Sequence, residues 1–551
     1  PLRVVWKCCK KTKSSKAFDS LITNLSNTHL PHKLTRTTTQ LKKNIENDSA
    51  SERLQSIIGL PSDATEQQIN AISAYSFADL SSSSFNPDEL VSAIDKLCKR
   101  SMMNTQAYRV LMSSLSDISP ASLCNASLCA LVEIVDTNEK LRVIDSEEWR
   151  RNAKEVVADI IKLCTTYSDL FYALGRSNIW KNECIDAIKR NFKNFDLQSK
   201  ISLLDILSKR KDEVDALFID TVIQSIATDS SRFNFRQCVN LASISIRLKP
   251  NNILLKKKLI EEMRVALGSL EKWNDARTIV ALFAIWKIGD DDLWKEICAW
   301  SERRARTAQF KDLAAIVNYM GYVGRREGTE TAVTLNERMN MEKGGEAIVW
   351  LKSIVSLCFY STVDNRLIES VLNTVFIDDL LKKAMNDERK NTKSNTALVH
   401  RLLMQVDYYA SSVESYSGPR LQEEFINDKE MSSMVSSAYS GHEEEVDVFR
   451  ACLSRVIVDP SHCTPQVHPS GIVVEARVPN KDGREEVVVY VPRSRYVETE
   501  KGERLLGSNL LSIKTMQKKG LSVHVFTYRE MPFDKSQIEA TVYIKKKLGR
   551  N

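Results

Sequence analysis

Between residue 85 and about residue 414 the chain repeats itself every 37–38 residues, and few folds tolerate that constraint. FRQCVNLASISIRL opens at Phe235, WNDARTIVALFAIW at Trp273 and FKDLAAIVNYMGYV at Phe310, and GGEAIVWLKSIVSL continues the series from Gly344. Earlier, Phe85, Leu90, Ile94 and Leu97 recur as Leu123, Leu128, Val132 and Val135. Each unit has an aromatic or small opener, apolar residues at helical spacing, a polar break and a second helix. That period is the length of a helix-turn-helix hairpin, and one hairpin cannot bury its apolar face without neighbours. Small residues inside the helices, Ala242, Ala281, Ala314 and Gly321, allow close packing. The expected fold class is therefore mostly α: an α-solenoid of helix-turn-helix repeats over residues 85–440.

After Gly471 the period changes from helical to alternating. GIVVEARVPN and EEVVVYVP are rich in β-branched residues and flank the turn KDG, so they predict a hairpin. A charged loop follows. LLGSNLLSIKTMQKKG then predicts a helix stopped at Gly520, LSVHVFTY a third strand, and FDKSQIEATVYIKKKL a closing helix with Asp534 as N-cap. A strand–helix–strand unit beside a hairpin is a small α/β domain, placed here at residues 441–551. Polar stretches around the helix Thr396–Ala410 put the junction within residues 386–440, and a helix over 442–454 leads into the domain. Residues 47–84, rich in Ser, Asp and Asn, are expected to be a linker or capping region.

The ordered set Gly507, Lys514, Met516, Gly520, Val523, Phe526, Tyr528, Glu530, Tyr543, Ile544 and Leu548 resembles the RAP domain. That module lies at the C-terminus of organellar RNA-binding proteins and is abundant in apicomplexans. The family's usual Trp after the Glu is Met531 here. The helical units likewise resemble the FAST-kinase-like or heptatricopeptide repeats that precede RAP domains. The resemblance implies a restriction-endonuclease-like fold, related to nucleases that hold a divalent metal with paired carboxylates beside a Lys. Aligned on Pro492, the two acidic positions fall on Val488 and Tyr490; only Glu475 remains on the first strand. No catalysis and no cofactor is expected. His462, Cys463 and His468 lack a fourth metal ligand, and no P-loop, dinucleotide fingerprint or nucleophile elbow occurs.

Charge then points to the partner. The net charge of +7 divides into +8 over residues 1–46, +6 over residues 471–551 and about −7 between them. Both ends would attract a polyanion. The first residues are basic, hydroxyl-rich and nearly acid-free, the composition of a transit peptide. The alternative is a basic arm lying on RNA, with Lys7, Lys10, Lys11 and Lys13 on phosphates. Along the repeats, Lys209, Arg247, Lys287 and Arg325 recur near the ends of first helices, where they would form a basic ladder. The other reading of that ladder is solvated cations favoured by helix dipoles. In the C-terminal domain, Arg493, Arg495, Lys514, Lys518, Lys519, Lys545, Lys546 and Lys547 are candidate phosphate contacts and Tyr496 a stacking plane.

Twelve cysteines without paired spacing are expected to be reduced thiols, and no apolar run is long enough to span a membrane. The expectation is a mitochondrial matrix RNA-binding protein. It would contact ribosomal RNA and ribosomal or other ribonucleoprotein neighbours, as a mitochondrial ribosome subunit or assembly factor. A transcript stability or processing factor on single-stranded RNA is the first rival, and a helical protein-interaction scaffold the second.

Overall fold

Polar residues just ahead of the apolar runs decide where the helices begin. Asn86 accepts from the Asp88 N–H, Ser146 from Trp149, Asn252 from Leu255 and Asp290 from Leu293. Asn234 and Gln237 form a reciprocal capping box. The structure is a computed structural model. It describes residues 86–550 less 104, 124–125, 342–345, 386–391, 423–424, 426–427, 480–484, 500–501 and 534–535, together with five residues between 54 and 59. The expected basic arm, the 47–84 region save those five residues, the KDG turn and Asp534 lie outside the described residues.

The protein is mostly helical with a small sheet region at the C-terminus. It divides into two compact units at residues 207/208. The first contains α1 (Pro87–Lys99), α2 (Gln106–Ser116), α3 (Leu128–Leu141), α4 (Glu147–Leu163), α5 (Tyr167–Arg176) and α6 (Lys181–Asn191); α7 (Leu197–Lys209) spans the division. Helices α1, α3 and α5 pack in series, with α2, α4 and α6 beside them. Leu90, Ile94 and Leu97 of α1 and Leu128, Val132 and Val135 of α3 are all buried, as their recurrence requires. Glu133 of α3 is buried too, and it accepts from Arg176 at 2.6 Å and from the Tyr172 hydroxyl at 3.0 Å.

The second unit begins with α8 (Ala216–Ala227), α9 (Phe235–Leu248), α10 (Ile253–Ala266), α11 (Trp273–Ile285), α12 (Asp291–Arg304), α13 (Phe310–Tyr322), α14 (Thr329–Met341), α15 (Ala347–Tyr360) and α16 (Asn365–Leu372). The first helices start at Phe235, Trp273, Phe310 and Ala347, keeping the period read from sequence. Helices α9, α11, α13 and α15 stack in one layer; α8 on α10, and α12, α14 and α16, stack in the other. Aromatic openers tie the helices together: Trp273 meets Trp300 of the other layer edge-on at 4.7 Å, and Phe310 meets Trp350 of the next first-layer helix at 5.7 Å. A repeating ion pair joins neighbours within the first layer. Asp275 and Asp312, each third in its helix and buried, meet Arg236 and Arg277 of the preceding first helix at 3.6 and 3.3 Å. A carboxylate there also faces the positive end of its own helix.

Four further helices, α17 (Thr374–Met385), α18 (Thr392–Ala410), α19 (Asp428–Tyr439) and α20 (Glu443–Ser454), lead to the sheet. Its strands are β1 (Gln466–Val467), β2 (Val473–Val474), β3 (Ala476–Pro479), β4 (Glu485–Val491), β5 (Tyr496–Thr499) and β6 (Gly502–Leu505); then come α21 (Gly507–Lys518), β7 (Ser522–Thr527) and α22 (Gln537–Lys547). Strand β4 pairs antiparallel with β3 and parallel with β7. Alternation in EEVVVYV fixes the layers: Val488 and Tyr490 join the core under α20 and α22, while Val487, Val489 and Val491 face α21 and α18. Gly520, at φ +89°, ends α21 as its sequence predicts.

Two expectations need correction. The charged loop is an antiparallel hairpin of β5 and β6, whose alternation is hidden by Glu and Arg on a surface ribbon. The cap of α22 is Ser536, which accepts from the Glu539 N–H. Helix α21 packs on α13, α15 and α18, so the sheet region and the later hairpins form one compact unit. Among the described residues no helix is long and apolar enough to cross a membrane, and the described cysteines are free thiols, most of them buried.

Candidate nucleic-acid interface

The turn after β4 is built from Pro492 and a short 3-10 segment, Arg493–Arg495, which aims β5 at the ends of the first-layer helices. The approach is close because glycines stand there. A Cβ on Gly289 would lie 1.9 Å from the Glu498 carbonyl oxygen, and one on Gly324 2.5 Å from that of Leu505. Lys287, which follows α11 at φ +51°, donates from Nζ to the Ser494 carbonyl at 2.6 Å. Asp291 receives Arg325 at 2.7 Å and Arg504 of β6 at 3.3 Å.

An open groove of about 960 Å³ runs between these elements. It gathers Lys256, Arg264, Lys287 and Arg493 against two carboxylates, Asp290 and Glu498, with His442 at its edge. Arg264 is paired with Asp290 at 2.8 Å, and Arg493 lies 3.6 Å from Glu498. Lys256 donates to the Trp286 carbonyl at 2.9 Å. Burial holds the Lys287 ammonium below its usual pKa, and the nearby Arg495 and Lys256 push it further down. Burial lowers that of Lys256 as well. Crowded, partly dehydrated cations of this kind are stabilised when an anion arrives.

Of the residues expected to bind RNA, the groove brings together Lys287, Arg493 and Tyr496. Of the four ladder residues, Lys287 lines the groove and Arg325 is buried. Arg325 is 1% exposed, bonded to Asp291, to Glu327 at 3.2 Å and to the Gly289 carbonyl at 3.3 Å. Lys287 gives one of its three N–H donors to Ser494 and lines the groove, and Arg247 donates to the Ser243 hydroxyl at 2.9 Å. Lys209 is exposed at the end of α7. Tyr496 is 3% exposed and packs with Val491, Ile513 and Met516, so its ring offers no open stacking plane. Arg495 reaches the Ser437 carbonyl at 3.4 Å.

On α21, Lys514 and Lys518 are exposed; Lys519 bonds the Ser411 hydroxyl at 2.8 Å and lies over the Tyr408 ring. On α22, Lys545 and Lys546 are exposed, whereas Lys547 turns inward to the Val525 carbonyl at 2.6 Å and to Glu530 at 2.8 Å. Lys7, Lys10, Lys11 and Lys13 lie outside the described residues. Sequence reasoning missed Lys256 and Arg264. Their only signal was a helix, ILLKKKLIEEMR, unusually basic for a second helix.

The two positions aligned on Pro492 in the sequence are sealed. Val488 and Tyr490 are buried, and the Tyr490 ring stacks on Phe449 at 4.7 Å. Glu475 is enclosed as well. It accepts from Arg450 Nε at 2.7 Å and from the Tyr439 hydroxyl. His468 faces Ser470 inside the protein, and His462 lies 3.9 Å from Asp459 at the surface. Among the described residues no three or more His, Cys, Asp and Glu side chains converge as a metal site. No protein-family model matches the chain, and no curated protein is significantly similar to it.

Proposed function

We propose that this protein binds single-stranded RNA along the groove between the first-layer helix ends and the β5–β6 hairpin. In this reading the stacked hairpins are an α-solenoid and the C-terminal sheet region is a RAP-like domain without catalysis. The observation that carries it is the meeting of Lys256 and Lys287, from the helical hairpins, with Arg493, from the sheet region, in one open groove. Cations on a solenoid edge are spaced to follow a backbone, and phosphate contacts supply most sequence-independent affinity. The reading that strands are not cleaved is supported by the burial of Val488 and Tyr490 and by the Glu475–Arg450 pair. The organellar, mitochondrial assignment rests on the acid-poor N-terminal composition and on the RAP resemblance; ribosomal RNA, within a ribosome subunit or assembly factor, is the first candidate.

Arg493→Glu tests the groove, since that side chain is exposed and its loss leaves the core intact. Affinity for a single strand at low salt should fall about tenfold, and crosslinks should map to the Lys256 and Arg493 segments. Unchanged affinity with crosslinks elsewhere would remove the groove from the mechanism. Sequencing the RNA crosslinked to the tagged protein separates ribosomal RNA, accompanied by ribosomal proteins, from a single messenger. Intact strands after incubation with Mg²⁺ or Mn²⁺ are expected throughout.

A further inference from the structure

Behind the Arg493–Arg495 turn is a second, smaller space. A half-enclosed cavity of about 240 Å³ opens between α18, α19, the turn at Gly471 and the end of β4. Arg401 of α18 and Arg495 both line it, with Ser437 and Asn509 as the neutral polar groups. No Asp or Glu is among its lining residues. Arg401 Nε is shut off from solvent and has no hydrogen-bond partner among the described residues. Gly471 keeps the space open: its φ is +78°, and a Cβ there would meet the Arg401 carbonyl oxygen at 2.7 Å and the Arg401 Cγ at 3.4 Å.

Two guanidiniums lining one cavity without a carboxylate is an uncompensated arrangement. A buried donor left unpaired costs about 1–3 kcal/mol, more when charged. Burial, and then the Arg495 charge, pull the Arg401 pKa down to about 10. Proteins keep buried cations where something pairs with them; no carboxylate among the cavity's lining residues does so, and Arg495 reaches the neutral Ser437 carbonyl at 3.4 Å.

We infer that this cavity takes a phosphomonoester, the terminal phosphate of a nucleic-acid strand. Two features select that group. Arginine forks match phosphate oxygens bidentately. A terminal phosphate also brings a charge of about −1.5 to −2 at neutral pH, close to that of two guanidiniums, where an internal phosphodiester brings about −1. The volume equals about eight waters at ~30 Å³ each, which leaves room beside the phosphate for the attached sugar. Position selects the source. One turn supplies Arg495 to the cavity and Arg493 and Ser494 to the groove, so the two sites share a wall. The inference rests on the RNA-binding reading and gives the groove a polarity: strands are held by an end.

The test uses the full chain and one single-stranded RNA sequence in three forms: 5′-phosphorylated, 3′-phosphorylated and unphosphorylated. One phosphorylated form should bind at least tenfold more tightly than the unphosphorylated strand. A nucleoside monophosphate or inorganic phosphate should compete that increment away. Arg401→Gln should abolish the increment and leave affinity for the unphosphorylated strand unchanged. Folding of that variant is checked by circular dichroism, and a measurement on the unaltered protein stands beside it. Inorganic phosphate should raise the thermal unfolding midpoint above that in chloride of equal ionic strength, and should not do so in Arg401→Gln. Equal affinity of all three strands with no phosphate-specific stabilisation would overturn the inference while leaving RNA binding in place. Binding of the monophosphate without binding of any strand would overturn the strand-end assignment and the RNA reading together.

Discussion

Arg325 and His468 show how differently two polar residues can be used once buried. Arg325 closes Asp291 and Glu327 beneath the β5–β6 hairpin and lies 5.7 Å from the Trp294 ring centroid. Removing one partner of a buried pair typically costs about 3 kcal/mol. Arg325→Ala should lose about that much in urea unfolding; a loss below roughly 1 kcal/mol would mean that the pairing is not held in solution. His468, 3% exposed, accepts the Ser470 N–H on Nδ1, packs edge-on against Tyr408 and must stay neutral to do so. Burial, then Arg477 and Lys519, lower its pKa to about 4, outweighing the opposing pull of Glu485. The unfolded chain binds that proton at about 6.5. The stabilisation is therefore complete above pH 6.5 and drains away as pH falls towards 4, by up to about 3 kcal/mol. His468→Gln should flatten the pH dependence of the unfolding free energy across that window. Identical profiles for the two proteins would rule out this titration.

At the scale of elements, the seat of α21 depends on Gly507. A Cβ on Gly507 would stand 1.7 Å from the Gly321 carbonyl oxygen of α13, so the two backbones touch. Gly507→Ala must push α21 away from α13, and overpacking of this kind costs about 1–3 kcal/mol. The matched control is Gly175→Ala in α5, where a Cβ meets nothing within 4 Å. That change should raise stability by roughly 0.5 kcal/mol through lost freedom of the unfolded chain. Chemical denaturation of both variants checks the pair: equal effects would show that helix propensity, not backbone contact, governs position 507. Faster proteolysis of the sheet region in Gly507→Ala is the accompanying expectation.

At the scale of the whole molecule, the charge is divided between ends and centre. Each neutralised phosphate adds close to one unit to the slope of log affinity against log salt. If Lys7, Lys10, Lys11 and Lys13 lie on RNA, removing residues 1–46 should flatten that slope by roughly three to four units. Arg493→Ala should flatten it by about one. Sequence preference should persist in both, because phosphate contacts position a strand and do not read it. A salt titration of the truncated protein giving the full slope would assign residues 1–46 to targeting alone.

The repeat length, the helix starts, the hairpin β3–β4 and the crossover β4–α21–β7 were all legible in the chain. Each is set by local periodicity and by a cap or glycine a few residues away. Asn234, Asn252 and Gly520 act within one turn of their own position. The apolar run Val487 to Val491 marked a strand, but because both of its faces are apolar, what packs on each was decided by the fold. The site was legible only in part. The sequence put Arg247, Lys287 and Arg325 in register, but register along a repeat says nothing about what covers it. The Arg493–Arg495 turn and the β5–β6 hairpin, some 200 residues away in the chain, engage Lys287 through Ser494 and the Arg325 partner Asp291 through Arg504. Tyr496 looked like a stacking surface because its neighbours are charged, yet the pleat turns it inward with Val491. Arg401, on an apolar helix, gave no signal at all. Its Nε, unpartnered among the described residues, and the space before it exist only because Gly471 and the end of β4 arrive there in three dimensions. Local sequence settles local geometry through short-range sterics and hydrogen bonds; solvent access and charge neighbours depend on long-range packing.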